Sequence, residues 1–204
     1  MGFCDDPSWR ASSLEKERVR SFDGEIDSFL SGGLALASLT EWGAPMGCEG
    51  RQMLLPFLAN VTRGQQYAPA YVLWINGYDN LDIFPPAWFA RGLVPEKTVF
   101  ARSQDVMVDL KRVFLASLFK MIVIDSPEFF SLEDGLFLRR MAQKQGYGIV
   151  ILRNYFLSNK KGNIASSLRL NAWRDHENGC FVLQGVKGAR GLLRSKRDVY
   201  SDTV

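Results

Sequence analysis

The residues best able to do chemistry lie in three short stretches of this 204-residue chain. The first is the glycine-rich turn Pro45-Met46-Gly47-Cys48-Glu49-Gly50-Arg51-Gln52. Between a strand and a helix, such a turn can wrap a phosphate in backbone N–H groups. A lysine then neutralises the phosphate and a hydroxyl holds magnesium. Here the closing glycine, Gly50, is in place. Pro45 stands where the first glycine belongs, Arg51 where the lysine belongs and Gln52 where the hydroxyl belongs. Glu49 adds a carboxylate where the phosphate charge would sit. The plain reading of Gly47 and Gly50, a turn entering a helix, is the stronger one. The second stretch is Met121-Ile122-Val123-Ile124-Asp125-Ser126. An acid at the end of a buried strand can orient bound magnesium, or it can simply cap the next element. The third is Ile149-Val150-Ile151-Leu152-Arg153-Asn154, an apolar strand ending on polar residues.

A fourth feature is electrostatic. The net charge of +3 hides an uneven distribution. Residues 153–197 hold ten lysines and arginines against two acids, a net +8, while the remainder holds fifteen against twenty, a net −5. The candidate contact cations are Lys160, Lys161, Arg169, Arg174, Lys187, Arg190, Arg194, Lys196 and Arg197, with Tyr155, Phe156 and Trp173 among them. Cations interleaved with aromatics can hold single-stranded nucleic acid by phosphate contact and base stacking. They can equally meet an acidic protein partner, or form a solvated face. The sequence leaves all three open.

Composition removes other chemistries. One histidine, His176, cannot build a polyhistidine metal site, and any Ser-His-Asp triad would have to use it. No metal is expected. Cys4, Cys48 and Cys180 are distant and odd in number, which fits a reducing, cytoplasmic setting better than a disulfide framework. Cys48 has no nearby histidine to make it a nucleophile. No apolar run approaches the roughly 20 residues of a membrane span, so no membrane partner is expected. Trp42, Trp74 and Trp88 read as core. Phe129-Phe130, just past the Asp125 strand, could form an apolar contact patch with Trp88 and Phe89, although core burial is the simpler reading.

Positioning these residues requires an α/β fold. Short apolar runs at 39–42, 70–75, 98–101, 121–124 and 148–152 read as buried strands. Helix-spaced runs at 51–62, 85–91, 103–119 and 132–145 lie between them. That alternation predicts a mostly parallel sheet covered on both faces. The period changes near residue 154. Residues 167–173 and 180–186 alternate apolar and polar side chains around Asp175-His176-Glu177-Asn178-Gly179, which predicts an appended antiparallel hairpin. The expected organisation is a leader with short helices over 1–31, a core over 32–186 and a flexible basic tail over 187–204.

Taken together, these residues resemble the RecA-like core, over about Gly32 to Val186. Gly32-Gly33-Leu34, with Leu39-Thr40-Glu41-Trp42-Gly43, looks like that family's lead-in to its nucleotide loop. Ile75 to Asp82, then Pro86 and Ala90-Arg91-Gly92-Leu93, is similar to its second strand and following helix. There the family carries a catalytic Glu and this chain has Tyr78. Ile122-Val123-Ile124-Asp125-Ser126 matches the Walker B strand. Asn154 falls where a glutamine senses the γ-phosphate, and the hairpin from Arg169 to Val186 looks like the C-terminal strands. The resemblance implies a three-layer RecA-like fold whose nucleotide site is vestigial at Gly47, Gly50, Arg51, Gln52, Asp125 and Asn154. It implies a non-hydrolysing pseudo-ATPase, with no ATP or magnesium cofactor expected. Two branches fit. The lead-in, the Walker B strand and the basic tail look like ImuA-type proteins of the bacterial DNA-damage response. Their partners would be a Y-family polymerase-like protein, the RecA recombinase or single-stranded DNA. Gln52-Met53-Leu54-Leu55-Pro56-Phe57-Leu58 and Tyr71-Val72-Leu73-Trp74 are similar to SulA-type division inhibitors. A third reading is a divergent DNA-dependent ATPase using Arg51. RecA-like cores also often pack against copies of themselves, so a homo-oligomer is a further expectation.

Overall fold

The computed structural model describes residues 17–77 and 83–195. In chain order the elements are β1 (Arg18–Val19), α1 (Gly24–Phe29), β2 (Leu34–Ala35), β3 (Ser38–Gly43), α2 (Leu55–Arg63), β4 (Tyr71–Gly77), α3 (Pro85–Phe89) and β5 (Thr98–Ser103). They continue as α4 (Val106–Asp109), α5 (Lys111–Leu115), β6 (Phe119–Asp125), α6 (Leu132–Gln145), β7 (Gly148–Arg153), β8 (Leu168–Asp175), β9 (Cys180–Lys187) and β10 (Leu192–Ser195). β1 and β2 pair with each other. The other eight strands form one sheet in the order β10-β9-β8-β3-β7-β6-β4-β5. From β8 to β5 every neighbouring pair is parallel, and β9 and β10 add on antiparallel.

The sheet is parallel because its central strands carry apolar side chains on both faces. Along β7, Val150 and Leu152 enter one core while Ile149 and Ile151 enter the other. β6 divides in the same way, with Val123 on one side and Ile122 and Ile124 on the other. The first core is closed by Leu55, Phe57, Leu58 and Val61 of α2, packed with Trp42 and Trp74. The second is closed by Phe114 of α5 and Leu138 and Ala142 of α6. The chain moves from β3 outward to β4 and β5 with helices on the first face. It returns to β6 and β7 with helices on the second, as right-handed crossovers require. β3 sends its C-terminal connection to the first face and β6 to the second, with β7 between them, and a crevice lies at that end of the three strands.

The mostly parallel α/β sheet with a C-terminal antiparallel hairpin is as the sequence pattern implies. Three local expectations change. The single helix expected over 103–119 is two short helices. Asp105 caps the first by accepting from the Met107 and Val108 amides, and the chain breaks at Leu110. Only Val106 and Phe114 are buried on this run, so little packing holds a longer helix together. Phe119, expected at the helix end, instead opens β6 by pairing with Tyr71. Residues 187–195, expected to fray, enter the sheet, where Leu192 to Ser195 pair with Gln184 to Phe181. Residues 17–31 are more than a leader, because Val19, Ile26 and Leu30 are buried in the first core. Residues 1–16 and 196–204 of the expected leader and tail lie outside the described residues.

At the end of α6, Gly146 takes the left-handed cap (φ = 80°) and the chain turns into Tyr147. The Tyr147 hydroxyl is buried and donates to the Phe114 carbonyl at 2.7 Å. Burial pushes its phenol pKa up to about 12. Because the folded value is raised, this group's contribution to stability is complete below the ordinary tyrosine range and lost as pH rises toward 12. Spectrophotometric titration should reveal a late tyrosine step that Tyr147→Phe abolishes. The same variant should lose about 1 kcal/mol in urea unfolding at neutral pH. An unchanged titration curve would refute the assignment.

Candidate functional site

The glycine-rich turn, the end of β6 and the end of β7 converge at this crevice. The backbone first laces the three together. The Ala44 amide donates to the Arg153 carbonyl at 2.9 Å, and the Ser126 amide donates to the Leu152 carbonyl at 2.9 Å. Asn154 accepts from the Met46 amide at 2.6 Å, so it holds the turn and does not face open space with its carbonyl.

Arg51 dominates the centre. Its Nε donates to both carboxylate oxygens of Asp125, at 3.0 Å each. Its Nη2 donates to Ser126 Oγ at 2.8 Å, and its Nη1 donates to the Ala44 carbonyl. The Asp125 side chain is only 3% exposed. The cation at the lysine position is thus spent on the acid at the magnesium position, one strand away across β7. Glu49 is tied to Arg174 at 3.0 Å. It sits in the left-handed region, at φ = 53°, as does Ser126 at φ = 50°. Such backbone costs about 1–3 kcal/mol per residue and gathers where surrounding contacts enforce it.

The turn is also pressed onto the sheet. Cys48 accepts from the Arg174 amide through its carbonyl at 2.7 Å. Gly50 lies so close to β8 that a Cβ on it would fall 1.9 Å from the Ala172 carbonyl oxygen. Its glycine is therefore explained by close approach of two backbones, with no phosphate required. Gln52 is half-buried in the 3₁₀ turn that leads into α2. Gly47 is exposed, in the left-handed region at φ = 78°. The Arg51 guanidinium and the Asp125 carboxylate are already bonded to each other, and the guanidinium also holds Ser126 Oγ and the Ala44 carbonyl. Tyr78, at the catalytic Glu position of the resembled family, lies outside the described residues.

The basic segment proves heterogeneous. Arg169, expected on a contact surface, is only 8% exposed and donates to the Ser158 carbonyl at 3.3 Å. Its position within β8, between two paired strands, puts it inside. Lys187 donates to the Ile164 and Ser166 carbonyls. Burial first, then Arg169 and Arg139, hold its ammonium pKa below the ordinary value. Arg174 pairs with Glu49, and Arg194 pairs with Asp175 at 2.8 Å. Lys160 and Arg190 are exposed, and Lys161 sits 3.8 Å above the Tyr155 ring. Lys196 and Arg197 lie outside the described residues. Among the described candidates, Arg169 is buried and Lys187 and Arg174 are half-buried, while Lys160, Lys161, Arg190 and Arg194 stay on the surface. Trp42 and Trp74 are buried, and Trp88 packs edge-on against Trp74, as core residues. Phe129 is 59% exposed.

One functional-looking residue escapes the sequence reading. Glu41, in the middle of β3, is 0% exposed. It accepts from Arg153 Nε at 2.7 Å and from the Asn163 amide at 2.6 Å. Its register neighbour on β8 is Arg169. The available signal was an acid between Leu39 and Trp42 in a short strand read as buried. Its partners lie 112 and 122 residues away, and only the strand order brings them close.

Comparison with protein-family models and with curated proteins gives no match for this chain. Among the described residues, no helix is long and apolar enough to cross a membrane, and no three His, Cys, Asp or Glu side chains gather as a metal site.

Breaking the central pair from one side should be costly. Arg51→Met leaves Asp125 buried and unpaired, an expected loss of about 3–5 kcal/mol in urea unfolding. Arg51→Met combined with Asp125→Leu should recover most of that loss. Additive losses in the double variant would mean that the two side chains are not coupled.

Proposed function

We propose that this chain is a RecA-like accessory protein of ImuA type, with a nucleotide loop closed by its own side chains. It acts by binding partners and not by hydrolysing ATP. The observation that carries the reading is the Arg51–Asp125–Ser126 closure. Phosphoryl transfer needs phosphate charge neutralised, a metal held and water oriented. Here the first two roles are cancelled against each other. The convergence of the turn, the Asp125 strand and Asn154 at the C-terminal end of a parallel sheet supports a nucleotide-type scaffold. The DNA-damage role and the choice of a polymerase-like protein or a recombinase as partner rest on the sequence resemblance.

The distribution of cations favours a protein partner over nucleic acid. Two of the candidate contacts, Arg169 and Lys187, are committed within the fold, and Arg174 and Arg194 are held in ion pairs with Glu49 and Asp175. Exposed Phe129, Phe156 and Ile164 lie beyond the ends of β6 and β7, with apolar surface available for contact.

Calorimetric titration with magnesium-ATP should give no binding heat, and phosphate release should stay at background. Micromolar affinity, with turnover abolished by Asp125→Ala, would overturn the reading. Single-stranded DNA should bind weakly, with a shallow dependence on salt, because few cations remain to displace counterions. Steeply salt-dependent binding would restore nucleic acid as the partner. Filamentation of expressing cells, with direct inhibition of division-protein polymerisation, would instead support the SulA-like alternative.

A further inference from the structure

Arg153 and Arg169 are two buried guanidiniums, 9% and 8% exposed, with one buried carboxylate, Glu41, between their strands. Glu41 is paired with Arg153. Arg169 Nε is buried without a hydrogen-bond partner. The trio carries one surplus positive charge inside the protein, and buried charge is costly unless it is balanced.

The surplus has an outlet. Arg153 gives Nε to Glu41, and its guanidinium lies 4.9 Å from the Phe130 ring centroid. Among the described residues its two terminal nitrogens have no hydrogen-bond partner. Arg153 lines a cavity of about 310 Å³, together with Phe130, Leu132, Tyr155, Gly162, Asn163 and Ile164. A second cavity of about 210 Å³, on the Ser126 side, shares Arg153 and Tyr155 with it.

The first cavity is stiffly built. Glu41 fixes the Asn163 amide, and Asn163 Nδ2 donates to the Ser131 carbonyl at 3.0 Å. Asn171 clamps Leu157 by both its amide and its carbonyl. Gly162, at φ = 140°, packs its backbone against the pair so closely that a Cβ there would lie 3.0 Å from both Arg169 Nη1 and Glu41 Oε2. No acid lines this cavity. Beyond Leu132 on its rim come Glu133 and Asp134, and Asp134 is turned back onto Ser131 in the capping box of α6.

We propose that this cavity binds a carboxylate carried on an apolar body. The terminal nitrogens of Arg153 form a fork that matches a planar carboxylate. One surplus charge balances a monoanion better than a phosphate dianion. Phe130, Leu132, Tyr155 and Ile164 would cover the apolar part, with Lys161 over Tyr155 adding positive potential. The carboxylate could be a free aromatic acid or the chain terminus of a partner protein ending in an apolar residue. The site does not depend on the closed loop or on the RecA-like reading.

Amide NMR shifts during titration of the full chain test this, with phenylacetate as the free-acid probe and N-acetyl-phenylalanine as the chain-terminus probe. At least one acid should shift the Gly162, Asn163 and Tyr155 amides at millimolar concentration, and the tighter of the two identifies the source. The matching carboxamide should bind about tenfold more weakly or worse. Arg153→Lys should weaken the acid while keeping a cation for Glu41. Should that variant fail to fold, Ile164→Glu gives an independent test. That side chain is 69% exposed and outside the buried network, and the new charge should weaken acid binding about tenfold. Equal affinity for acid and amide, absence of shifts with both acids, or unaltered binding in Ile164→Glu would each overturn the proposal.

Discussion

One guanidinium, that of Arg51, ties the end of β6 to the chain that leaves β3 at the C-terminal end of the sheet. It binds the carboxylate at the end of β6, the hydroxyl one residue on and a carbonyl at the end of β3. Removing it would strand Asp125 in a buried position and release the turn that precedes α2. The left-handed backbone at Glu49 and Ser126 is tolerated because this web over-determines both residues. The glycine-rich turn is therefore held as a structural joint. An arginine is suited to that joint in a way a lysine is not, since its planar fork reaches several acceptors at once.

A second electrostatic knot lies two strands from the first. Glu41 gathers Arg153 from one neighbouring strand and the chain around Asn163 from the loop after β7. The two knots have opposite outcomes. Around Arg51 the donors and acceptors are mutually satisfied, leaving little for a ligand. Within the Glu41, Arg153 and Arg169 trio positive charge exceeds negative charge, and Arg153 lines a cavity. Where the resemblance to nucleotide-binding proteins draws attention, the molecule is closed. Its open recognition chemistry sits beside that place, at the end of β7.

Local pattern made much of the architecture legible. Continuous apolar runs such as Met121 to Ile124 and Ile149 to Leu152 can only be strands with both faces covered, and the period-two alternation after residue 167 marks a hairpin. The 103–119 run misled because apolar spacing suggests one long helix, whereas in the two short helices only Val106 and Phe114 reach the core. The 187–195 run misled because β10 is held by backbone pairing with β9, which side-chain polarity does not report.

The sequence alone determined the α/β class, the mostly parallel sheet with its hairpin, and a glycine-rich turn followed by Arg51 and Gln52 in place of a lysine and a hydroxyl. These are properties of neighbouring residues, read from periodicity and residue type. Tertiary structure decided what each charge does. Arg51 meets Asp125 from 74 residues away, Glu41 meets Arg153 from 112, and Arg169 goes inside while Arg190 stays out. Charge is listed along the chain, but its effect depends on distance and desolvation, which strand order and register alone establish.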